Sequence, residues 1–270
     1  MGWRWQHCPV TTHQLIAALG SSFAAGPGIE PVADPAAMRS QRNYAHQLAD
    51  RLGAKLVDLT VSGATTATVV DTPQEVLGGA VFPPQLDGVP EDADVVTVTA
   101  GGNDLQFAPA LLWVAWARLE PTSPMVPTLG AMFSDGVPAP TQQAIEQATA
   151  GLVRIVEAVR AKAPNARVML VDYLTVLDEN SMSSTPFTDL EIGQFLEIQD
   201  AIGQVFSDAA ARTGADLISA SSLSAGHAVG SVEPWVQPFY QVMERTGGSF
   251  HPNEAGMTAI AAELERVLTS

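Results

Sequence analysis

Hydrophobic and polar positions along the chain follow two regimes. Residues 14–19, 55–61, 92–99, 167–171 and 216–220 form apolar stretches of strand length, with Val-Val-Thr-Val-Thr at the centre of the third. Between them, apolar residues recur every three or four positions. This spacing predicts helices over 42–52 (Tyr44, Leu48, Leu52), 141–162 (Ala144, Ala148, Leu152, Ile155, Val159) and 188–213. A last helix follows Asn253, with Met257, Ile260, Ala261, Leu264 and Leu268 on its inner face. Thr141 and Asn253 suit N-caps, and Gly53 suits a helix stop. Strands that alternate with helices imply an α/β fold, its parallel sheet covered on both faces.

The first three strands end alike. Gly20-Ser21-Ser22, Ser62-Gly63-Ala64-Thr65-Thr66 and Ala100-Gly101-Gly102-Asn103-Asp104 each close an apolar run with glycine or small polar residues. In open α/β sheets this C-terminal edge is where ligands bind and chemistry occurs. Residues 105–140 read less clearly. The run LLWVAWARL could be a helix, but Pro121, Pro124, Pro127, Pro138 and Pro140 interrupt the stretch beyond it. The segment is expected to be an irregular insertion near the site, either a pocket wall or lid or a packed surface loop. A late loop carries Gly226-His227, Pro234-Trp235 and Gly247-Gly248-Ser249-Phe250-His251-Pro252-Asn253. Residues 1–12 read as a tail. No linker divides the chain, so residues 1–270 are expected to form one domain.

Composition narrows the function. Of 270 residues, 46% are hydrophobic, enough for a substantial core. Asp and Glu outnumber Lys and Arg by 29 to 13, a net charge of -16, which argues against nucleic acid and anionic membranes as partners. A single cysteine, Cys8, excludes an intramolecular disulfide. The start of the chain lacks the apolar core of a signal peptide, and residues 105–117 are too few to span a bilayer. A cytoplasmic setting is expected, with export left open. No G-x-S-x-G elbow, P-loop, dinucleotide fingerprint or H-E-x-x-H motif occurs, and neither a metal nor an organic cofactor is inferred.

A serine hydroxyl needs a base to become a nucleophile, and acyl transfer needs donors aimed at the developing oxyanion. Ser22 is the candidate nucleophile. Its own N–H, the N–H of Gly63 and the amide of Asn103 are the candidate donors. Four blocks in order, Gly20-Ser21-Ser22, Gly63, Gly101-Gly102-Asn103-Asp104 and His251-Pro252, resemble those of the SGNH/GDSL hydrolases, a family of esterases and lipases. The text around them is similar to that of actinobacterial members. The resemblance implies a flavodoxin-like three-layer α/β/α fold with a five-stranded, mainly parallel sheet. It also implies Ser22 as nucleophile, His251 as base, Gly63 and Asn103 as oxyanion donors, and a small-molecule ester as substrate.

Two positions depart from the family pattern. Ser21 stands where the family usually has aspartate, and Gly248 stands where it has the aspartate that orients the histidine. A backbone carbonyl can fix the imidazole tautomer instead. The expectation is a Ser22–His251 dyad oriented by the Gly248 carbonyl, with Glu244 as the alternative. The expected activity is hydrolysis of short-to-medium acyl esters. Thioesters, carbohydrate acetates and a non-catalytic binding role are the other readings. Asp104 is expected to cap a helix or brace its loop. Trp113, Trp116, Trp235 and His227 are expected to pack.

Overall fold

The computed structural model describes residues 14–133 and 136–270. The expected tail, with Trp3, Trp5, His7 and Cys8, lies outside these described residues. Strand β1 (Leu15–Gly20) leads into a one-turn helix, α1 (Ser22–Ala25). A hairpin of β2 (Val32–Asp34) and β3 (Arg39–Ser40) precedes α2 (Tyr44–Leu52) and β4 (Lys55–Asp58). Helix α3 (Thr66–Val70) and a second hairpin, β5 (Gln74–Glu75) with β6 (Val81–Phe82), lead towards β7 (Val95–Thr99). Next come α4 (Phe107–Leu119), α5 (Met125–Gly130), α6 (Gln142–Lys162) and β8 (Arg167–Val171). The chain continues through α7 (Asp189–Thr213), β9 (Asp216–Ile218), α8 (Ala220–Leu223), α9 (Met243–Thr246) and α10 (Glu254–Leu268).

The central sheet has the order β4-β1-β7-β8-β9, and every pairing in it is parallel. Each crossover between neighbours carries a helix, as parallel pairing requires. Residues 16–20, all of β7 and 168–171 are buried, so these strands are apolar or uncharged throughout rather than alternating. Helices α2 and α10 pack together beside β4, β1 and β9, while α6 and α7 pack together against β8. The result is the three-layer α/β/α arrangement. From β1 the chain steps outward to β4, then returns to the other side of β1 for β7. This reversal makes the C-terminal ends of β1 and β7 the topological switch point, the position where such sheets bind ligands.

Local chemistry explains the main boundaries. The side chains of Asn43, Thr141, Thr188 and Asn253 accept backbone N–H groups at the starts of α2, α6, α7 and α10. Thr188 does so in a capping box with Glu191. Within residues 105–140 the run LLWVAWARL is helical, the reading its sequence allowed, while α5 forms among prolines where an irregular chain is expected. In α4, Phe107, Ala110, Leu111, Val114 and Ala115 are buried, leaving no polar face to create a periodic signal. Pro109 sits in the first turn of α4, where a missing N–H breaks no helical bond. No described helix is long and apolar enough to cross a membrane.

Candidate active site

Strand β1 delivers Ser22 through a constrained turn. Gly20 has φ 143°, and a Cβ there would lie 2.3 Å from the Thr99 carbonyl oxygen of the neighbouring strand. Only glycine lets the two backbones come this close. The side-chain amide of Gln85 clamps Gly20 from both sides: it accepts the Gly20 N–H at 2.8 Å and donates to the Gly20 carbonyl at 3.0 Å. The Ser21 N–H donates to the Thr99 carbonyl at 2.8 Å. Ser22 then opens α1, which Gly26 ends in the left-handed conformation.

The base arrives from the late loop. The Nε2 atom of His251 lies 2.8 Å from the Ser22 hydroxyl oxygen, although 229 residues separate the two in sequence. Its Nδ1 lies 2.8 Å from the carbonyl oxygen of Ser249. A carbonyl only accepts, so Nδ1 carries the proton and Nε2 is left to accept the Ser22 O–H. The Gly248 carbonyl, expected to orient the ring, instead takes the backbone N–H of His251 at 3.2 Å. The correction has a local cause. Phe250, at φ 61°, turns the chain so that the carbonyl two residues back faces the imidazole. Glu244 sits exposed on α9 and makes no hydrogen bond to the ring, whose Nδ1 is already occupied.

The loop is held from behind. Gln237 and the 250–251 segment exchange backbone hydrogen bonds, Gln237 N–H to the His251 carbonyl at 2.8 Å and Phe250 N–H to the Gln237 carbonyl at 3.1 Å. The Gln237 side chain also donates to the carbonyls of Pro27 and Pro252, which ties the loop to the segment after Ser22. His251 is only 3% exposed, and this burial lowers its pKa to about 4, against a smaller opposing effect of the Ser249 hydrogen bond. At neutral pH the ring is therefore neutral and able to accept a proton.

The two remaining blocks, at the ends of the strands that flank β1, are fastened to each other. Gly63 is exposed at φ 85°. Among the described residues, the backbone N–H groups of Ser22 and Gly63 meet no acceptor, so both are available to an anionic oxygen. Asn103 donates one amide hydrogen to the Ala64 carbonyl at 2.9 Å and keeps the other. Asp104 accepts the Thr66 N–H at 3.1 Å and the Thr66 hydroxyl at 2.6 Å, so it caps α3 and fastens the Gly63 block to the Asn103 block. Burial holds its carboxyl above the usual range, against the Thr66 hydrogen bonds. Trp116 packs as expected, its indole N–H reaching the Thr246 hydroxyl at 2.9 Å, and Trp235 stacks on His227 with ring centroids 4.0 Å apart.

Ser249, Gln85, Gln237 and Tyr173 were not singled out from sequence. Ser249 acts through its backbone and leaves no side-chain signature. Tyr173 lies just past the end of β8, and a strand end was the one signal available for it.

A hydroxyl paired with an imidazole at the C-terminal edge of a parallel sheet is the arrangement of hydrolases that use serine. The model of the GDSL-like lipase/acylhydrolase family matches residues 18–259, and the chain belongs to that family. It is similar to Lipase 2 of Streptomyces coelicolor, 33% identical over 264 residues that cover 93% of this chain and 84% of that protein. The crystal structure of an extracellular lipase from Streptomyces rimosus has a TM-score of 0.69 at 22% identity, covering 95% of this chain and all of that one. Phospholipase A1 from Streptomyces albidoflavus gives the same TM-score and identity over 96% of this chain and all of that one. These structural likenesses show a shared fold. Family and relatives together make this chain a carboxylic ester hydrolase.

Proposed function

We propose that the chain hydrolyses carboxylic esters through an acyl-enzyme formed on Ser22, with His251 as the base. The observation that carries this reading is the 2.8 Å approach of His251 Nε2 to the Ser22 hydroxyl. As the Ser22 oxygen attacks the ester carbonyl, its proton passes to Nε2. The Nδ1–H remains on the Ser249 carbonyl, whose dipole supports the imidazolium in place of a carboxylate. The N–H groups of Ser22 and Gly63 and the free amide hydrogen of Asn103 receive the oxyanion. His251 then protonates the departing alcohol and activates the water that releases the acid.

Short-to-medium acyl chains are the substrates we favour over thioesters and carbohydrate acetates. The lipase name of the S. coelicolor relative supports an ester with an apolar acyl group over thioesters and carbohydrate acetates. So do the exposed apolar side chains of Val242 and Met243, in and beside the short helix that leads into the His251 loop, and of Met38, whose terminal methyl lies against Gly247. The same reading takes residues 1–270 as one domain. Cytoplasmic placement is part of the proposal, although the S. rimosus neighbour is described as extracellular. Fractionation of cells that make the full chain tests it.

The test of mechanism is a p-nitrophenyl butyrate assay with organophosphonate labelling. Wild type is expected to turn over, to lose activity on labelling and to carry the adduct on Ser22, while Ser22→Ala is silent. An adduct elsewhere, with Ser22→Ala as active as wild type, ends the assignment.

A further inference from the structure

Three parts of the site meet at the side chain of Tyr173. Its hydroxyl lies 2.8 Å from the Ser21 hydroxyl and accepts the Gly102 N–H at 3.1 Å. A Cβ at Gly102 would fall 2.5 Å from the Tyr173 ring, so the backbone preceding Asn103 rests directly on the phenol. The same ring meets Phe23 at a centroid distance of 4.3 Å, and the Phe23 ring in turn lies 5.0 Å from that of His251. Ser21 and Tyr173 are both buried, so water does not compete for either hydroxyl. Burial holds the phenol above its ordinary pKa, and it stays a neutral O–H.

These bonds touch the residue before the nucleophile and the residue before the oxyanion amide. We propose that Tyr173 is a positioning residue that sets the separation between the Ser22 hydroxyl and the Asn103 amide, with the Ser21 hydroxyl as its partner. The proposal rests on the roles given above to Ser22 and Asn103. It also accounts for serine at position 21. A short neutral hydroxyl fits a fully enclosed site against a neutral phenol, whereas a carboxylate there would have to give up its hydration. Positioning of this kind matters because a displacement of about 1 Å between reacting groups costs roughly a hundredfold in rate.

Full-length wild type, Tyr173→Phe, Ser21→Ala and the double variant are compared on p-nitrophenyl butyrate, well below their unfolding midpoints. Phenylalanine keeps the ring and its packing on Phe23 and removes only the hydroxyl. The expected result for Tyr173→Phe is a kcat lowered by about tenfold to a hundredfold, with KM changed far less. Ser21→Ala is expected to lower kcat in the same sense. The double variant should be no worse than Tyr173→Phe, because losing the phenol hydroxyl already removes the only bond, among the described residues, that Ser21→Ala cuts. The acid limb of the pH profile, which belongs to His251, should not move. A Tyr173→Phe enzyme with wild-type kcat and a lowered unfolding midpoint overturns the proposal, since the phenol then supports only the fold. Additive losses in the double variant overturn the Ser21 partnership. Should Tyr173→Phe fail to fold, an unchanged kcat in Ser21→Ala overturns it equally. An active Ser22→Ala in the same assay removes the nucleophile assignment and this proposal with it. A silent Ser22→Ala beside a fully active Tyr173→Phe removes this proposal alone.

Discussion

The imidazole of His251 is enclosed, and enclosure sets the pH range over which it can act as a base. Its pKa, lowered to about 4 by burial, lies far below that of a solvated histidine. The acid limb of kcat/KM for a neutral ester should therefore fall near pH 4, with activity nearly flat from pH 8 to pH 5. A pH–rate series on one activated ester checks this, and a limb near 6.5 would show that the ring is hydrated in solution. Position 249 also bears on substitution experiments. Its carbonyl orients the ring while its hydroxyl accepts the Tyr240 N–H at 2.8 Å. Removing that hydroxyl disturbs the loop without removing the acceptor that fixes the tautomer.

At the scale of elements, the oxyanion side of the site depends on a brace between two loops. Asp104 follows β7, Thr66 opens α3, and their hydrogen bonds hold Gly63 and Asn103 in one frame. Helix α6 closes on the same point, since a Cβ at Gly151 would fall 2.3 Å from the Thr66 hydroxyl. Replacing the carboxylate strands a buried N–H and a buried hydroxyl together. Asp104→Ala should cost about 1–3 kcal/mol of stability and lower kcat more than it raises KM. Urea unfolding measured alongside steady-state kinetics tests both halves. Asp104→Asn, which keeps one acceptor, should recover part of each loss.

For the whole molecule, the buried base couples catalysis to acid stability. His251 binds its proton less readily folded than unfolded, so the unfolded state takes up more protons as the pH falls from about 6.5. The native state is then stabilised above that range and loses the contribution as the pH drops through about 4. A shift of this size amounts to about 3 kcal/mol. Asp104 and Asp172, whose pKa values burial raises, work in the opposite sense, since their folded forms gain relative stability on protonation. Comparing wild type with His251→Gln isolates the histidine. Between pH 7 and pH 4 the wild type should lose about 3 kcal/mol more than the variant in urea unfolding.

Four blocks that resemble a known family led from sequence to the expectation of a Ser22–His251 dyad, and what period, capping and turn chemistry determined beyond that was local. Hydrophobic period separated five strands from four long helices, Thr141 and Asn253 marked helix starts, and small residues after β1, β4 and β7 pointed to one edge of the sheet. These signals survive in a linear chain because period, capping and turn chemistry act over a few residues. Tertiary structure decided the rest. It chose the Ser249 carbonyl over that of Gly248, because every residue carries a carbonyl and only the turn at Phe250 selects which one faces the ring. It settled α4 as a helix, where a nearly all-apolar sequence leaves no polar face to give a period. It joined Gln85 to Gly20 and Tyr173 to Ser21 across 65 and 152 residues, contacts that exist only once the sheet has brought the strand ends together.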